Sequence, residues 1–366
     1  MSGFTDLVAE RSILICAGSG GVGKTTTAAA AAVEAARRGR RACVVTIDPA
    51  RRLADALGLA ELTNDPRLVA GDWPGELWAL MLDTKTTFDD VVAANASSPE
   101  QAQAIYGNAF YRNISAALSG TQEYMAMEKL HGLHAEDRFD LIVVDTPPTR
   151  QALDFLDAPR RLTRLLDNRV FRLLMRPTRA GLRAINVATQ LFLRTVSRVV
   201  GNEVVGDAVN FFETFEGMEE GFRDRAQVVA GLLAEPLTGW VLVTSPRADA
   251  IDEAMYFARR LHASAIGIEA LVVNRIHPYF GPVPTVAADG PLATLVANLA
   301  EIDNVARQEE DYVGALTGRV PEAAVVRVPH LDDDVHDLDG LRAIGDHLCG
   351  RGGERATGGS RPPSGA

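Results

Sequence analysis

The sequence predicts an α/β fold: a doubly wound, mostly parallel sheet flanked by helices, with a helical insertion. Three observations carry this. A short apolar run, Ile13–Ala17, leads through a glycine-rich stretch, Lys24 and Thr25 into an alanine-rich segment that reads as a helix. Two later apolar runs, Ala42–Ile47 and Leu141–Val144, end in the acids Asp48 and Asp145. Between 150 and 236 the apolar residues recur at helical spacing.

Taken in order, residues 1–11 read as a polar lead-in. The stretch from Gly18 to Thr25 follows the first strand. Glycines let backbone N–H groups close around an anion, and the helix N-terminus adds positive potential. Gly20, Gly21, Val22 and Gly23 would wrap the phosphates. Lys24 would reach the β- and γ-phosphates, and the Thr25 hydroxyl would bind Mg²⁺. Gly18-x-Gly20-x-x-Gly23 also fits a dinucleotide fingerprint, with Asp48 as the ribose acid. That loop does not require a Lys-Thr pair, and Asp145 supplies the second acid that a nucleoside triphosphatase needs, so the phosphate-loop reading is preferred.

The first helix should end at Gly39, a glycine C-cap. Asp48 closes the second strand, where its carboxylate would position the attacking water. Capping the next helix is the competing role. Leu77–Leu82 reads as a strand. Residues 84–138 read as mostly helical, with Glu123 opening a helix over Tyr124–His131, as a contact to a second subunit or the switch region or as an exposed helix-start acid. Asp145 would hold Mg²⁺, through water.

Residues 150–236 carry ten arginines between Ala158 and Val200 against one acid, Asp167. A stripe of Val205, Val209, Phe212, Phe215, Met218 and Phe222 follows. These residues form either a helical subdomain packed as core or an apolar groove with a basic rim. Strands are expected again at Trp240–Thr244, Leu271–Val273 and Ala323–Val328. Asn274 and the turn Pro329-His330-Leu331 close the last two, where Asn274 has the paired donor and acceptor to read an adenine edge. The run Asp332–Asp334 reads as a solvated loop or a cap for a helix over Leu338–Leu348. The expected organisation is one phosphate-loop domain over 1–349, with 150–236 inserted in it. A disordered tail is expected over 350–366, which is Gly, Ser, Pro and Arg without periodicity.

Composition excludes several classes. The chain has 366 residues, a net charge of −11 and 47% hydrophobic residues. The acidic balance argues against a general nucleic-acid binder, so no nucleic-acid partner is expected. Cys16, Cys43 and Cys349 are far apart and form no CxxC pair, so no zinc site is signalled. No signal peptide or membrane span is evident, and a reduced cytoplasmic protein is expected.

These motifs, with the Asp48-Pro49-Ala50 turn, Asp145-Thr146-Pro147-Pro148-Thr149 and Gly120–Glu128, resemble the ArsA-type (arsenite-pump) and Get-type (tail-anchored-protein-targeting) ATPase family, in particular its actinobacterial branch. The resemblance covers nearly the whole chain apart from the tail. It implies a phosphate-loop fold of the deviant Walker A class, with ATP and Mg²⁺ held in a dimer. It implies that Lys24, Thr25 and Thr26 bind phosphates and Mg²⁺, that Asp48 acts on water and Asp145 on Mg²⁺, and that Asn274, Pro329 and His330 meet adenine. It also implies an apolar or membrane-protein client.

Three departures stand out. The family usually reads G-K-G-G-V-G-K-T, and its first lysine crosses the dimer to the partner's nucleotide; here that position is Ser19. The zinc-binding CxxC of the Get-type dimer is missing, and no clustered cysteines would hold arsenite. The chain is therefore read as a dimeric ATPase, as a homodimer or paired with a lysine-bearing homologue. The alternatives are a regulatory subunit that hydrolyses weakly and a spatial-organisation ATPase.

Overall fold

A computed structural model describes residues 3–48, 51–112, 121–147, 157–161, 163, 164, 167, 202–280, 290, 292–331 and 333–351. The helices are α1 (Phe4–Glu10), α2 (Lys24–Arg37), α3 (Arg52–Ala56), α4 (Thr84–Asn95), α5 (Pro99–Gly107), α6 (Thr121–Ala135), α7 (Asn202–Phe215), α8 (Glu219–Leu232), α9 (Ala248–Ala263), α10 (Ala293–Thr317) and α11 (Leu338–Leu348). The strands are β1 (Ile13–Gly18), β2 (Arg41–Thr46), β3 (Arg67–Val69), β4 (Glu76–Met81), β5 (Leu141–Asp145), β6 (Thr238–Thr244), β7 (Ala270–Ile276) and β8 (Ala324–Pro329). Two compact units result. One takes residues 1–81, 133–153 and 234–366, and the other takes 82–132 and 154–233.

The first unit is a single sheet in the order β3-β4-β2-β5-β1-β6-β7-β8. Every neighbouring pair is parallel except β3 with β4. β1, β5 and β6 are buried along their whole length, which is why they read as continuous apolar runs without alternation. Ala28–Ala32 are fully buried, and α2 lies in the core beside Leu341, Ile344 and Leu348 of α11. Alanine suits this place because it forms helix well and its short side chain permits close packing.

Two elements differ from the expectation. Residues 4–10 form α1, which buries Phe4, Leu7 and Val8 at i, i+3 and i+4, so the lead-in is a short amphipathic helix. β3 adds an antiparallel edge strand that the sequence reading left out. Gly350 and Arg351 are also ordered: Arg351 pairs with the buried Glu34 at 2.6 Å and with Asp346 at 3.2 Å, tying the chain beyond α11 to α2. Asp337 caps α11 by accepting from the Gly340 N–H at 2.8 Å, the capping role that had been offered to Asp332–Asp334.

The described residues of the second unit are helical or in loops. Phe211, Phe212, Phe215, Met218 and Phe222 are buried, with Phe88 stacked on Tyr111 at 5.3 Å and the Phe215 and Phe222 rings tilted against each other at 5.1 Å. Four of the six residues of the predicted stripe, Phe212, Phe215, Met218 and Phe222, are therefore core. The side chains of Val205 and Val209 lie outside the described set, as do most of the arginine-rich residues, the Pro49-Ala50 and Pro148-Thr149 turns, Asp332 and residues 352–366. Glu128 is buried and bonds both the Tyr124 hydroxyl and Arg225, and Glu123 is buried as well, which removes the exposed-acid reading. Among the described residues no helix is long and apolar enough to cross a membrane.

Candidate functional site

β1 runs between β5 and β6, so the loop after β1 opens where the chain's connections part to either side of the sheet. Gly18 ends the strand against β6: a Cβ there would stand 2.0 Å from the Val243 carbonyl oxygen. Gly23 precedes α2 with φ of 96°, and a Cβ there would stand 2.2 Å from the Asn274 amide nitrogen. Both close approaches require glycine. Lys24 folds back over the loop, its Nζ donating to the Ser19 carbonyl at 2.8 Å. Burial pushes the Lys24 ammonium below its ordinary pKa, while Asp145 and Asp48 oppose that shift. Burial drives the Cys16 thiol up, consistent with a small apolar role.

Asp145 ends β5 beside the loop. Its Oδ2 accepts from the hydroxyls of Thr25 at 2.8 Å and Thr46 at 3.0 Å. Its Oδ1 is buried and has no hydrogen-bond partner among the described residues. Burial raises this carboxyl to about 6, against the opposing pull of the two threonine hydroxyls and Lys24. A buried carboxylate oxygen left unpartnered is costly unless a cation or donor meets it. The donor set is hard oxygen, a hydroxyl beside a carboxylate, and it fits Mg²⁺, which keeps several waters and needs few protein ligands. Accordingly, among the described residues no group of three or more His, Cys, Asp and Glu could hold a metal.

Asp48 follows β2, which neighbours β5. Its N–H donates to the Thr46 hydroxyl at 3.3 Å, and its charge bears on both Lys24 and Asp145. α3 begins at Arg52 with Arg51 in the cap position, so Asp48 is not the cap of that helix. Thr26 lies in the first turn of α2.

On the other side of the loop, a cleft of about 370 Å³ is lined by Ser19–Val22, the Ser245–Arg247 turn after β6, Arg275, His277, Glu309 and His330. His330 reaches it because β8 ends at Pro329, which pairs in register with Ile276. Asn274 is buried, and its Nδ2 donates to the Val22 carbonyl at 2.9 Å. That amide braces the loop in this structure. His277 contributes its backbone N–H and its Nδ1 to the Glu309 carboxylate, both at 2.8 Å. Arg275, His277 and Glu309 escaped the sequence reading. Only the position of Arg275, directly after Asn274, was a usable signal.

A glycine loop that closes on a Lys-Thr helix start, beside an acid-ended strand of a doubly wound sheet, defines a phosphate-loop nucleoside triphosphatase. The model of the anion-transporting ATPase family matches residues 11–349, and the chain belongs to that family. It is an ATPase. Among curated relatives, "ATPase get3" of Pyrenophora tritici-repentis is 24% identical over 338 residues, covering 92% of this chain and 90% of that protein. An "ATPase ASNA1 homolog" of Babesia bovis is 27% identical over 299 residues, covering 78% and 73%.

Proposed function

We propose that this chain is a Mg²⁺-dependent ATPase whose site is completed across a dimer. The observation that carries the metal reading is the Thr25–Asp145 pair with its buried, unpartnered Oδ1. The triphosphate would lie on Gly20–Gly23, Lys24, Thr25 and Thr26, and the nucleoside in the cleft beside Asn274, Pro329 and His330. Bound Mg²⁺ would supply charge neutralisation at the phosphates. Lys24 would leave the Ser19 carbonyl for the phosphates, and Asp48 would orient the attacking water.

Ser19 decides the assembly. A hydroxyl places no positive charge on a partner's nucleotide, so a homodimer should turn over slowly and a lysine-bearing homologue should complete the site. Ser19→Lys is expected to raise the homodimer's kcat by about 10³-fold or more, the scale of an added transition-state cation. An unchanged rate in a variant that still binds ATP overturns this reading. Mixing the chain with a lysine-bearing homologue should likewise give more turnover than the two measured apart.

The client we assign is an apolar or membrane-linked segment, taken by residues 150–236. The arginine-rimmed leucine periodicity of 158–200 supports this. Photo-crosslinking to an apolar peptide, with and without ATP, tests it; equal labelling of the two units speaks against it.

A further inference from the structure

We infer that Arg275 is a positioning residue that joins the nucleoside cleft to the phosphate loop, an inference that rests on the nucleotide reading above. Successive residues of a regular strand point to opposite faces of the sheet. Asn274 and Arg275 break this rule. The register of β7 against β8 shifts between Asn274 and Ile276, and Arg275 sits at φ of 64°, a left-handed conformation rare for a residue with a side chain. As a result both side chains reach the same loop. Asn274 donates to the Val22 carbonyl at 2.9 Å, and Arg275 Nη1 donates to the Gly21 carbonyl at 3.3 Å.

These bonds fix the direction of the loop's peptide planes. In a trans peptide the carbonyl and the following N–H point opposite ways. Drawing the Gly21 and Val22 carbonyls toward β7 therefore turns the N–H groups of Val22 and Gly23 the other way, into the cradle.

A brace alone needs only a neutral donor, and Asn274 shows that an amide suffices. Arg275 also carries a charge, and among the described residues it forms no ion pair, its hydrogen bond going to a carbonyl. The other arginine of the cleft, Arg247, is held by Asp249 at 2.9 Å. Arg275 is exposed and lines the cleft together with His277 and His330. A guanidinium plane with one nitrogen anchored suits the face of a nucleobase or the oxygens of a ribose. The ligand class is thus the nucleoside half of the nucleotide, and its arrival bears on the same group that shapes the phosphate cradle.

The test compares ATP with inorganic tripolyphosphate, which has the phosphates and no nucleoside. Titrations would be run on the wild-type chain, Arg275→Ala and Arg275→Gln, with thermal unfolding to confirm that each variant folds. Arg275→Ala should weaken ATP about tenfold more than it weakens tripolyphosphate. Arg275→Gln keeps a donor for Gly21, so it should restore tripolyphosphate binding while ATP stays weak. Equal factors for the two ligands, or no change in either, overturn the inference and leave the ATPase reading standing. A wild-type chain that binds neither ligand overturns both.

Discussion

Replacing Lys24 by alanine is expected to weaken binding of magnesium–ATP by about 100-fold or more. The ammonium is buried, and among the described residues it forms no ion pair; its hydrogen bond goes to the neutral carbonyl of Ser19. It thus carries a charge poorly served by the ligand-free protein and well served by a polyanion. Each charge-assisted hydrogen bond to a phosphate contributes about 1.5–3 kcal/mol, and Lys24 can make two. Lys24→Arg should recover little, because a planar fork does not replace a point charge inside a closed loop. Calorimetric titration with ATP and Mg²⁺ checks this. An alanine variant within threefold of wild type would remove the phosphate loop from the account.

Asp145→Asn should act in opposite directions on function and on stability. The amide is nearly isosteric and still accepts from Thr25 and Thr46, so the fold should hold. It cannot neutralise Mg²⁺, and stimulation of turnover by the metal should fall by at least about 100-fold, since a bound metal stabilises phosphoryl charge by several kcal/mol. The ligand-free protein, by contrast, should unfold about 1–4 °C higher at neutral pH, because the variant removes a buried carboxylate with one oxygen unpartnered. Thermal unfolding with and without Mg²⁺–ATP reads both effects. A variant that is destabilised without ligand, or that keeps its metal response, contradicts the assignment of Asp145.

The parts of the site that were legible in advance are those whose chemistry sits in consecutive residues. Gly18 to Thr25 could be read because a strand, a tight loop and a helix start each leave a local signature. Asp48 and Asp145 could be read because a buried parallel strand is an unbroken apolar run and an acid marks its end. α1 was missed because seven residues are too short for a helical period to stand out against polar neighbours. The stripe from Phe212 to Phe222 could be seen, but its partner could not: the same spacing serves a groove or a core, and its packing with Phe88 and Phe110 made it core.

Local order along the chain thus pointed to a glycine loop with Lys24 and to two strand-end acids as a candidate phosphate site, and to the family to which the chain belongs. The strand order β3-β4-β2-β5-β1-β6-β7-β8, the cleft shared by Arg275, His277, Glu309 and His330, and the turn of Asn274 toward Val22 came from folding in three dimensions. The reason is one of range. Backbone sterics and side-chain period act over a few residues and are written in adjacent letters. Strand pairing and a bulge that redirects two side chains are set by what packs from hundreds of residues away.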